Sequence, residues 1–118
     1  MRALATLLMF VVCAFQAEAY VADGHEYTLA CNKDGFVLTS RASVTRYIEA
    51  GVSSRFVKKK EKIFLGKNCD AIHEIFGGGK WCWANGGFGA EFSGTKIWFP
   101  RQELICPRET DNHLGCNC

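Results

Sequence analysis

The stretch Lys80–Phe99, KWCWANGGFGAEFSGTKIWF, decides the fold class of this chain. Short runs of aromatic and aliphatic residues alternate there with glycine-containing turns, which is the pattern of consecutive hairpins. Side chains two residues apart on a strand share a face, so Trp81 lies beside Trp83 on one strand, and Ile97 lies beside Phe99 on a later one. The stretch therefore predicts short strands joined by tight turns.

The flanking sequence continues this pattern. Strands are predicted at 27–31, 36–39 and 63–65 upstream and at 103–106 downstream, with glycine, asparagine or proline between them. Short strands with turn signals at this spacing are typical of a small all-β barrel or sandwich.

Two segments are compatible with either helix or strand. Residues 43–50 could form a helix capped by Ser43, but their β-branched and aromatic side chains favour an irregular segment with a piece of strand. Asp70–Phe76 could form one helical turn capped by Asp70, and the glycines at 77–79 predict a turn after it. We therefore expect an all-β domain with room for one short helical turn.

Composition restricts the class of protein. The chain has 118 residues, of which 14 are basic, 12 are acidic and 48% are hydrophobic, and its net charge is +2. This length fits one domain, and the apolar fraction is too high for a disordered chain. A net charge of +2 does not indicate a nucleic-acid partner, because binding to phosphate backbones requires a concentrated basic surface.

Residues 1–19 have the form of a signal peptide. A positive start and an apolar run precede Ala17-Glu18-Ala19, the small-x-small pattern of a cleavage site. Cleavage after it leaves a domain at 20–107 and a flexible, cysteine-containing tail at 108–118. The apolar run is shorter than the roughly 20 residues that span a bilayer. We expect a secreted or periplasmic protein without a membrane span.

An even number of cysteines remains after the leader, which predicts a disulfide framework. They are Cys31, Cys69, Cys82, Cys106, Cys116 and Cys118. The strand pattern favours Cys31–Cys106, which joins the first and last strands, and Cys69–Cys82, which crosses a hairpin. The remaining pair, Cys116–Cys118, could bridge each other, pair with a partner or stay as thiols.

Several segments follow one another as in a known family. They are FVLTSR at 36–41, KEKIFLG at 60–66, KWCWANG at 80–86, and IWFP at 97–100 with Glu103-Leu104. From Thr28 to Cys106 the chain resembles a bacterial SH3-like domain, with an early strand, a charged central strand, a Trp-bearing strand and a closing element in that order. The resemblance implies a five-stranded barrel and non-catalytic binding of a cell-wall peptide or a protein.

Residues on the glycine-rich strands are the candidate ligand-binding residues. Trp83, Asn85 and Trp98 could line a groove, since aromatic rings offer large and rigid contact areas. Arg101 could bind a carboxylate of a peptide. The alternative is that the rings, Trp81 above all, form the barrel core and that Arg101 binds backbone carbonyls. Alternation with its inward neighbours would turn Trp98 outward.

Other charged groups carry weaker signals. Lys58-Lys59-Lys60 with Lys62 could bind an anionic polymer or could protect an exposed strand from aggregation, and the interruption by Glu61 favours the second interpretation. His73-Glu74 or His25-Glu26 could act as an acid–base pair, but no further group stands at a recognisable spacing.

Metal and cofactor sites are not expected. His113 with the two cysteines of the tail offers only three ligands for zinc or copper, and no phosphate-binding, esterase or zinc-protease motif occurs. The sequence therefore predicts a disulfide-stabilised, exported binding module without catalytic residues, metal or cofactor, which recognises a cell-wall peptide or glycan or a periplasmic or extracellular protein. The alternative is a secreted cysteine-rich effector, a toxin or a small hydrolase.

Overall fold

The computed structural model describes residues 19–50, 53–106 and 115–118. The predicted leader up to residue 18 and the predicted tail from 108 to 114, with His113, lie outside the described residues. Eight strands form within the described ranges, and each is hydrogen-bonded to the next in one antiparallel sheet. They are β1 (Tyr20–Ala22), β2 (His25–Asn32), β3 (Gly35–Ala50), β4 (Ser53–Gly66), β5 (Asp70–His73), β6 (Gly77–Ala84), β7 (Gly87–Phe92) and β8 (Thr95–Phe99).

The sheet curls into a nearly closed barrel in which β1 and β8 are neighbours. Their seam is closed by side chains. The Gln102 carboxamide accepts a hydrogen bond from the Val21 N–H at 2.6 Å and donates one to the Val21 carbonyl at 2.7 Å. The Tyr20 hydroxyl donates to the Glu103 carbonyl at 2.8 Å and accepts from the Ile105 N–H at 3.2 Å. The predicted strand at 103–106 is wrong, because this segment is held through side chains and joins no ladder.

The all-β, disulfide-stabilised barrel is confirmed, and it contains eight strands where the resemblance implied five. The predicted helical turn at Asp70–Phe76 is wrong. Its first four residues are β5, because Ala71 and His73 alternate into the core while the strand pairs with β6. The predicted turn at 77–79 is wrong as well, since these glycines lie inside β6. Gly79 is required there for a steric reason: a Cβ on it would lie 2.1 Å from the Glu91 carbonyl oxygen.

The core is a stack of rings and branched aliphatic side chains inside the barrel. Phe88 and Phe99 stack with ring centroids 4.7 Å apart, and Tyr27 meets Phe99 edge-on at 5.3 Å. Trp81 is buried against Phe36, as the sequence predicted for a core ring. Aromatic pairs of this kind add about 0.5–1.5 kcal/mol each beyond the area they bury, which helps a core of modest size.

Strands β3 and β4 extend beyond the barrel as a two-stranded ribbon, here called the arm. It pairs Ser43–Ala50 with Ser53–Lys60, and a bulge between Thr39 and Ser43 separates it from the barrel. In the described part of the chain, the pairing of β2 with β3 ends at Ser40, and that of β4 with β5 begins at Ile63. The segment 43–50 is therefore strand. Val44, near the barrel, is buried, whereas Tyr47 and Phe56 farther along the arm are exposed.

The cysteines of the described residues form three disulfides: Cys31–Cys106, Cys69–Cys116 and Cys82–Cys118. The first is the pair predicted from the sequence; the predicted pairs Cys69–Cys82 and Cys116–Cys118 are wrong. The C-terminal residues run beside β6, where Asn117 forms a parallel bridge with Trp83. That position brings each tail cysteine to a different cysteine of the barrel.

The end of the chain is accordingly part of the folded domain. The Trp83 N–H donates to the Cys116 carbonyl at 2.6 Å, and the Cys118 N–H donates to the Trp83 carbonyl at 2.9 Å. Cys116 is buried. Residues 115–118 are thus fixed to the barrel, contrary to the predicted flexible tail.

Candidate functional site

A groove lies at one end of the barrel, between the β6–β7 turn and the C-terminal segments. Its cavity volume is about 660 Å³, within the roughly 300–1,000 Å³ typical of small-ligand sites. It is lined by Trp83–Gly87, Glu103–Ile105, Gly115 and Asn117. The turn itself is formed by Asn85 and Gly86 at positive φ, 51° and 75°, which asparagine and glycine tolerate best.

Half-buried Trp83 forms one wall of the groove, and both its ring and its backbone are held in place. The Trp83 ring meets Trp81 edge-on at 5.7 Å and Phe88 at 5.5 Å, so its inner side belongs to the core. Its backbone is bonded to the C-terminal segment, which the neighbouring Cys82–Cys118 bridge holds in place. Such a wall is preorganised, and this reduces the entropy lost on binding.

The opposite side of the groove combines apolar and acidic groups. Ile105 is 57% exposed although it is aliphatic, whereas Leu104 beside it is buried in the core. Glu103 is exposed and is the ionisable residue among the described lining residues. The described lining residues therefore offer an apolar contact, two side-chain amides and one negative charge, a combination that suits a neutral or cationic ligand better than an anionic one.

The four predicted ligand-binding residues do not meet at one place. Trp83 and Asn85 line the groove, while Trp98 lies outside it. The reason is the strand register: Trp83 stands opposite Phe88 and Phe88 opposite Phe99, on the inner face, whereas Trp98 stands opposite Gly89 on the outer face. The predicted outward direction of Trp98 is confirmed.

Trp98 lines a second hollow of about 430 Å³ beside the two C-terminal disulfides. Lys96 covers its ring at 5.2 Å, a cation–π contact. A Cβ on Gly89 would lie 2.2 Å from the ring, so the indole rests directly on the β7 backbone. Arg101 occupies the turn after β8 at a φ of 55°, and it lines neither cavity. Both roles considered for its side chain, binding a ligand carboxylate or backbone carbonyls, stay predictions.

Three groove residues carried little signal in the sequence. Glu103 and Ile105 lay in a predicted strand, and Asn117 lay in a predicted flexible tail. The position of Asn117 between two cysteines was the one indication that it is fixed, since two bridges hold the residues on either side of it.

Glu61 lies at the centre of a cluster of polar side chains inside the barrel, next to the end of the arm that joins the barrel. It is 2% exposed. The Arg46 guanidinium donates to both its oxygens, at 2.7 and 2.8 Å, and Tyr27 and His73 also bind its carboxylate. Burial on its own would raise the pKa of Glu61, but the hydrogen bonds from His73, Arg46 and Tyr27 outweigh it and lower the pKa to about 2.

The partners of Glu61 are fixed in turn. Burial, together with the adjacent Glu61 carboxylate, raises the pKa of the Tyr27 hydroxyl far above its usual value. The hydrogen bond to Glu61 raises the pKa of Arg46 despite its partial burial. The Ser40 hydroxyl accepts from the Glu61 N–H at 2.7 Å. The described side chains contain no buried polar atom without a partner, so the cluster is fully satisfied.

His73, the histidine assigned to a hydrolase from the sequence, belongs to this cluster. Its Nδ1 accepts hydrogen bonds from the Ile75 and Phe76 N–H groups, so its ring proton lies on Nε2 and is donated to Glu61. The ring is 1% exposed and is covered by Phe76 and Phe92.

The neighbouring Glu74 points to solvent, where it binds Lys59 at 2.7 Å. The structure therefore does not assemble the pair His73-Glu74, and the arrangement around Glu61 can tie β2, β3, β4 and β5 together but offers no access to a substrate.

The described residues contain no group of three or more side chains that could hold a metal ion, and Cys116 and Cys118 are both disulfide-bonded. They also contain no helix long and apolar enough to cross a membrane.

No family model, no curated protein and no solved structure matches this chain. The resemblance to bacterial SH3-like domains therefore stays a prediction from the sequence.

Proposed function

We propose that this protein is an exported, non-catalytic binding module whose groove takes an extended peptide that carries a primary amine. Cell-wall peptides and segments of periplasmic or extracellular proteins both offer this chemistry. The observation that carries the proposal is the preorganised groove, which is lined by the half-buried Trp83 and by exposed Ile105 and Glu103.

Each side of the groove suits a different part of such a ligand. The Trp83 ring and the Ile105 side chain offer apolar contact to aliphatic side chains. The amides of Asn85 and Asn117 can donate to and accept from an extended peptide backbone. Glu103 can bind the amine. A site with one negative charge disfavours free carboxylates nearby, so the amine end of the peptide is the part that the groove selects.

The disulfides support the export that the proposal requires. Three bridges in a domain of this size are typical of an oxidising compartment, such as the periplasm or the extracellular space. This agrees with the signal peptide predicted at residues 1–19.

The test is a titration of the oxidised protein with an amine-bearing wall peptide, followed by tryptophan fluorescence and by the backbone amide resonances of Gly86, Gly87 and Ile105. A protein-derived peptide with one lysine is the second arm, and it distinguishes the two sources of the ligand. We expect Ile105→Ser and Glu103→Gln each to weaken binding roughly fivefold, by the loss of about 1 kcal/mol of apolar or charge-assisted contact.

Ile72→Ser is the matched control, because Ile72 is 52% exposed on another face of the barrel. It should leave the affinity unchanged. Resonance changes that avoid the groove, or a wall glycan without peptide that binds as well as the peptide, would contradict the proposal.

A small hydrolase is the less supported alternative, since His73 is buried and already binds Glu61. A zymogram against RNA and peptidoglycan, with His73→Ala beside the unchanged protein, tests it directly. Clearing that depends on His73 would favour the hydrolase.

A further inference from the structure

The outer face of β4 carries a row of cations between two exposed rings. Side chains two apart on a strand share a face, so Phe56, Lys58, Lys60, Lys62 and Phe64 form one line, here called the β4 stripe, while Glu61, Ile63 and Leu65 point into the core. All three lysines are exposed. At about 3.4 Å per residue, the stripe is about 27 Å long, and successive lysines are about 7 Å apart.

Further apolar side chains lie beside both ends of the β4 stripe. Phe56 is 73% exposed, and it contacts only the half-exposed Tyr47 opposite it among the ring contacts of the described residues, with centroids 5.2 Å apart. Phe64 stands opposite Val37 on β3 and opposite Ile72 on β5. Exposed apolar groups in such numbers on a small domain mark an interaction surface.

The arm carries many more basic than acidic residues. Its two strands contain five basic residues (Arg46, Arg55, Lys58, Lys59 and Lys60) and one acidic residue. The acidic residue, Glu49, stands opposite Ser54 and so shares the face of Tyr47 and Phe56 at the far end of the stripe. Arg46 is occupied by Glu61, and Lys59, on the opposite face, by Glu74. The hydrogen bond with Lys59, and more weakly the Lys62 charge, lower the pKa of Glu74. Asp70 shares the outer face of β5 with Ile72. Lys58 and Lys60 face outward from the arm, and neither takes part in an ion pair between described residues.

We propose that the β4 stripe is a docking surface for an anionic lipid bilayer, along which the arm lies flat. The three lysines meet the lipid phosphates, and the rings at both ends enter the interface between headgroups and acyl chains. The proposal concerns a face of the molecule separate from the groove, and it holds whether or not the groove binds a peptide.

The chemistry favours a bilayer over a soluble polyanion in two ways. The cations of the stripe are all lysines, point charges that suit a diffuse anionic surface, whereas bidentate recognition of individual phosphates is the property of arginine. The apolar groups include the aliphatic Ile72, which has no ring face to stack on a base or a sugar but gains free energy by leaving water at a membrane interface. The lysines also oppose pairing of the arm with a second copy, because like charges would then stand side by side.

The experiment measures cosedimentation of the oxidised, exported protein with vesicles of phosphatidylcholine, with and without phosphatidylglycerol. We expect binding to the anionic vesicles only, and weaker binding at higher ionic strength, since exposed charges are screened by salt. Lys58→Gln with Lys60→Gln should weaken binding roughly 25-fold, from about 1 kcal/mol for each lysine near the surface. Phe56→Ser should weaken it roughly tenfold.

Two controls separate this surface from general effects of charge and hydrophobicity. Lys80→Gln with Lys96→Gln removes the same charge from exposed positions on β6 and β8, and Ile105→Ser removes an exposed aliphatic side chain from the groove. Both should bind vesicles as the unchanged protein does.

Several outcomes overturn the proposal. They are equal binding to neutral and anionic vesicles, an equal loss in the Lys80 and Lys96 control, and tight binding of single-stranded DNA by a protein that does not bind vesicles. Circular dichroism and thermal unfolding of each variant establish that it is folded, which the exposure of the substituted side chains leads us to expect.

Discussion

The side-chain amide of Gln102 binds both backbone polar groups of Val21, with its oxygen 2.6 Å from the Val21 nitrogen and its nitrogen 2.7 Å from the Val21 oxygen. A peptide unit of a neighbouring strand would make the same two bonds. One side chain thus satisfies the edge of β1 and closes the barrel where no ladder between β1 and β8 does so. An open edge would be a site for pairing with other chains.

Gln102→Ala is expected to lower the free energy of unfolding by about 1–2 kcal/mol, because two hydrogen bonds worth about 0.5–1.5 kcal/mol each are lost at a solvent-accessible place. Urea unfolding measures the loss, and faster hydrogen exchange at the Val21 amide locates it. Asn68→Ala, which changes an exposed amide in the turn before β5, is the control and should stay within about 0.5 kcal/mol of the unchanged protein. Equal effects of the two substitutions would show that Gln102 does not close the seam.

Glu61→Gln is expected to destabilise the protein by about 3 kcal/mol at neutral pH. The substitution leaves the Arg46 charge in a largely buried place without its counter-ion, and breaking a buried pair costs about 3–5 kcal/mol. Thermal or urea unfolding at pH 7 tests this. A loss below about 1 kcal/mol would mean that the cluster adds little to stability.

Glu61 also predicts a pH dependence with a definite sign. Its pKa is about 2 in the folded chain against an ordinary value of 4.5, so the folded state binds fewer protons than the unfolded state. The stabilisation is complete above pH 4.5 and is lost as the pH falls from there toward 2, by up to about 3 kcal/mol. The stability difference between the unchanged protein and Glu61→Gln should therefore shrink from pH 7 to pH 3. A constant difference would contradict the assignment.

The disulfide pairing predicts the products of proteolysis without reduction. Peptides containing Cys69 should be linked to the C-terminal peptide through Cys116, and peptides containing Cys82 through Cys118. Serine at both positions 82 and 118 should cost about 4 kcal/mol in the chain-entropy model, for a loop of 36 residues. It should also speed hydrogen exchange at Trp83. A product that joins the Cys69 peptide directly to the Cys82 peptide, without the C-terminal peptide, would disprove the pairing.

Gly89→Ala should disturb Trp98. A Cβ at this position would lie 2.2 Å from the indole ring, which must then swing away from the sheet and from Lys96, at a cost of about 1–3 kcal/mol for an overpacked contact. Tryptophan emission should shift to longer wavelength, and the unfolding temperature should fall. Gly78→Ala is the matched control, because nothing lies within 4 Å of a Cβ there, and it should change neither quantity.

Local pattern was sufficient for much of the fold. The hairpins could be predicted from the alternation along Trp81–Ala84 and Thr95–Phe99 and from the glycine turns between them. This is because the face of a side chain and the geometry of a turn depend on residues a few positions apart. The same alternation was enough to place Ile97 and Phe99 inside and Trp98 outside. It misplaced β5 because Asp70 is an equally good helix cap, and pairing with β4 and β6 selects the strand.

The groove depended on contacts that no local pattern encodes. Trp83 and Asn85 were recognisable as candidates, but the other groove residues Glu103, Ile105 and Asn117 come from segments 18 or more residues away, which were predicted as a strand and a flexible tail. The β4 stripe shows the opposite case, because its lysines were visible in the sequence, but their exposure on an arm outside the barrel was not.

The amino-acid sequence alone was enough to predict an all-β domain with disulfides, the positions of its turns and the side chains that point inward. These features follow from the alternation of faces along a strand, from glycine in tight turns and from the number of cysteines. Long-range packing decided which cysteines pair and which charged side chains surround Glu61. It also decided that Gln102 bonds to the edge of β1, where no neighbouring strand in the described part of the chain does so. These outcomes depend on distances between residues far apart in the chain, and such distances exist only once the barrel has closed.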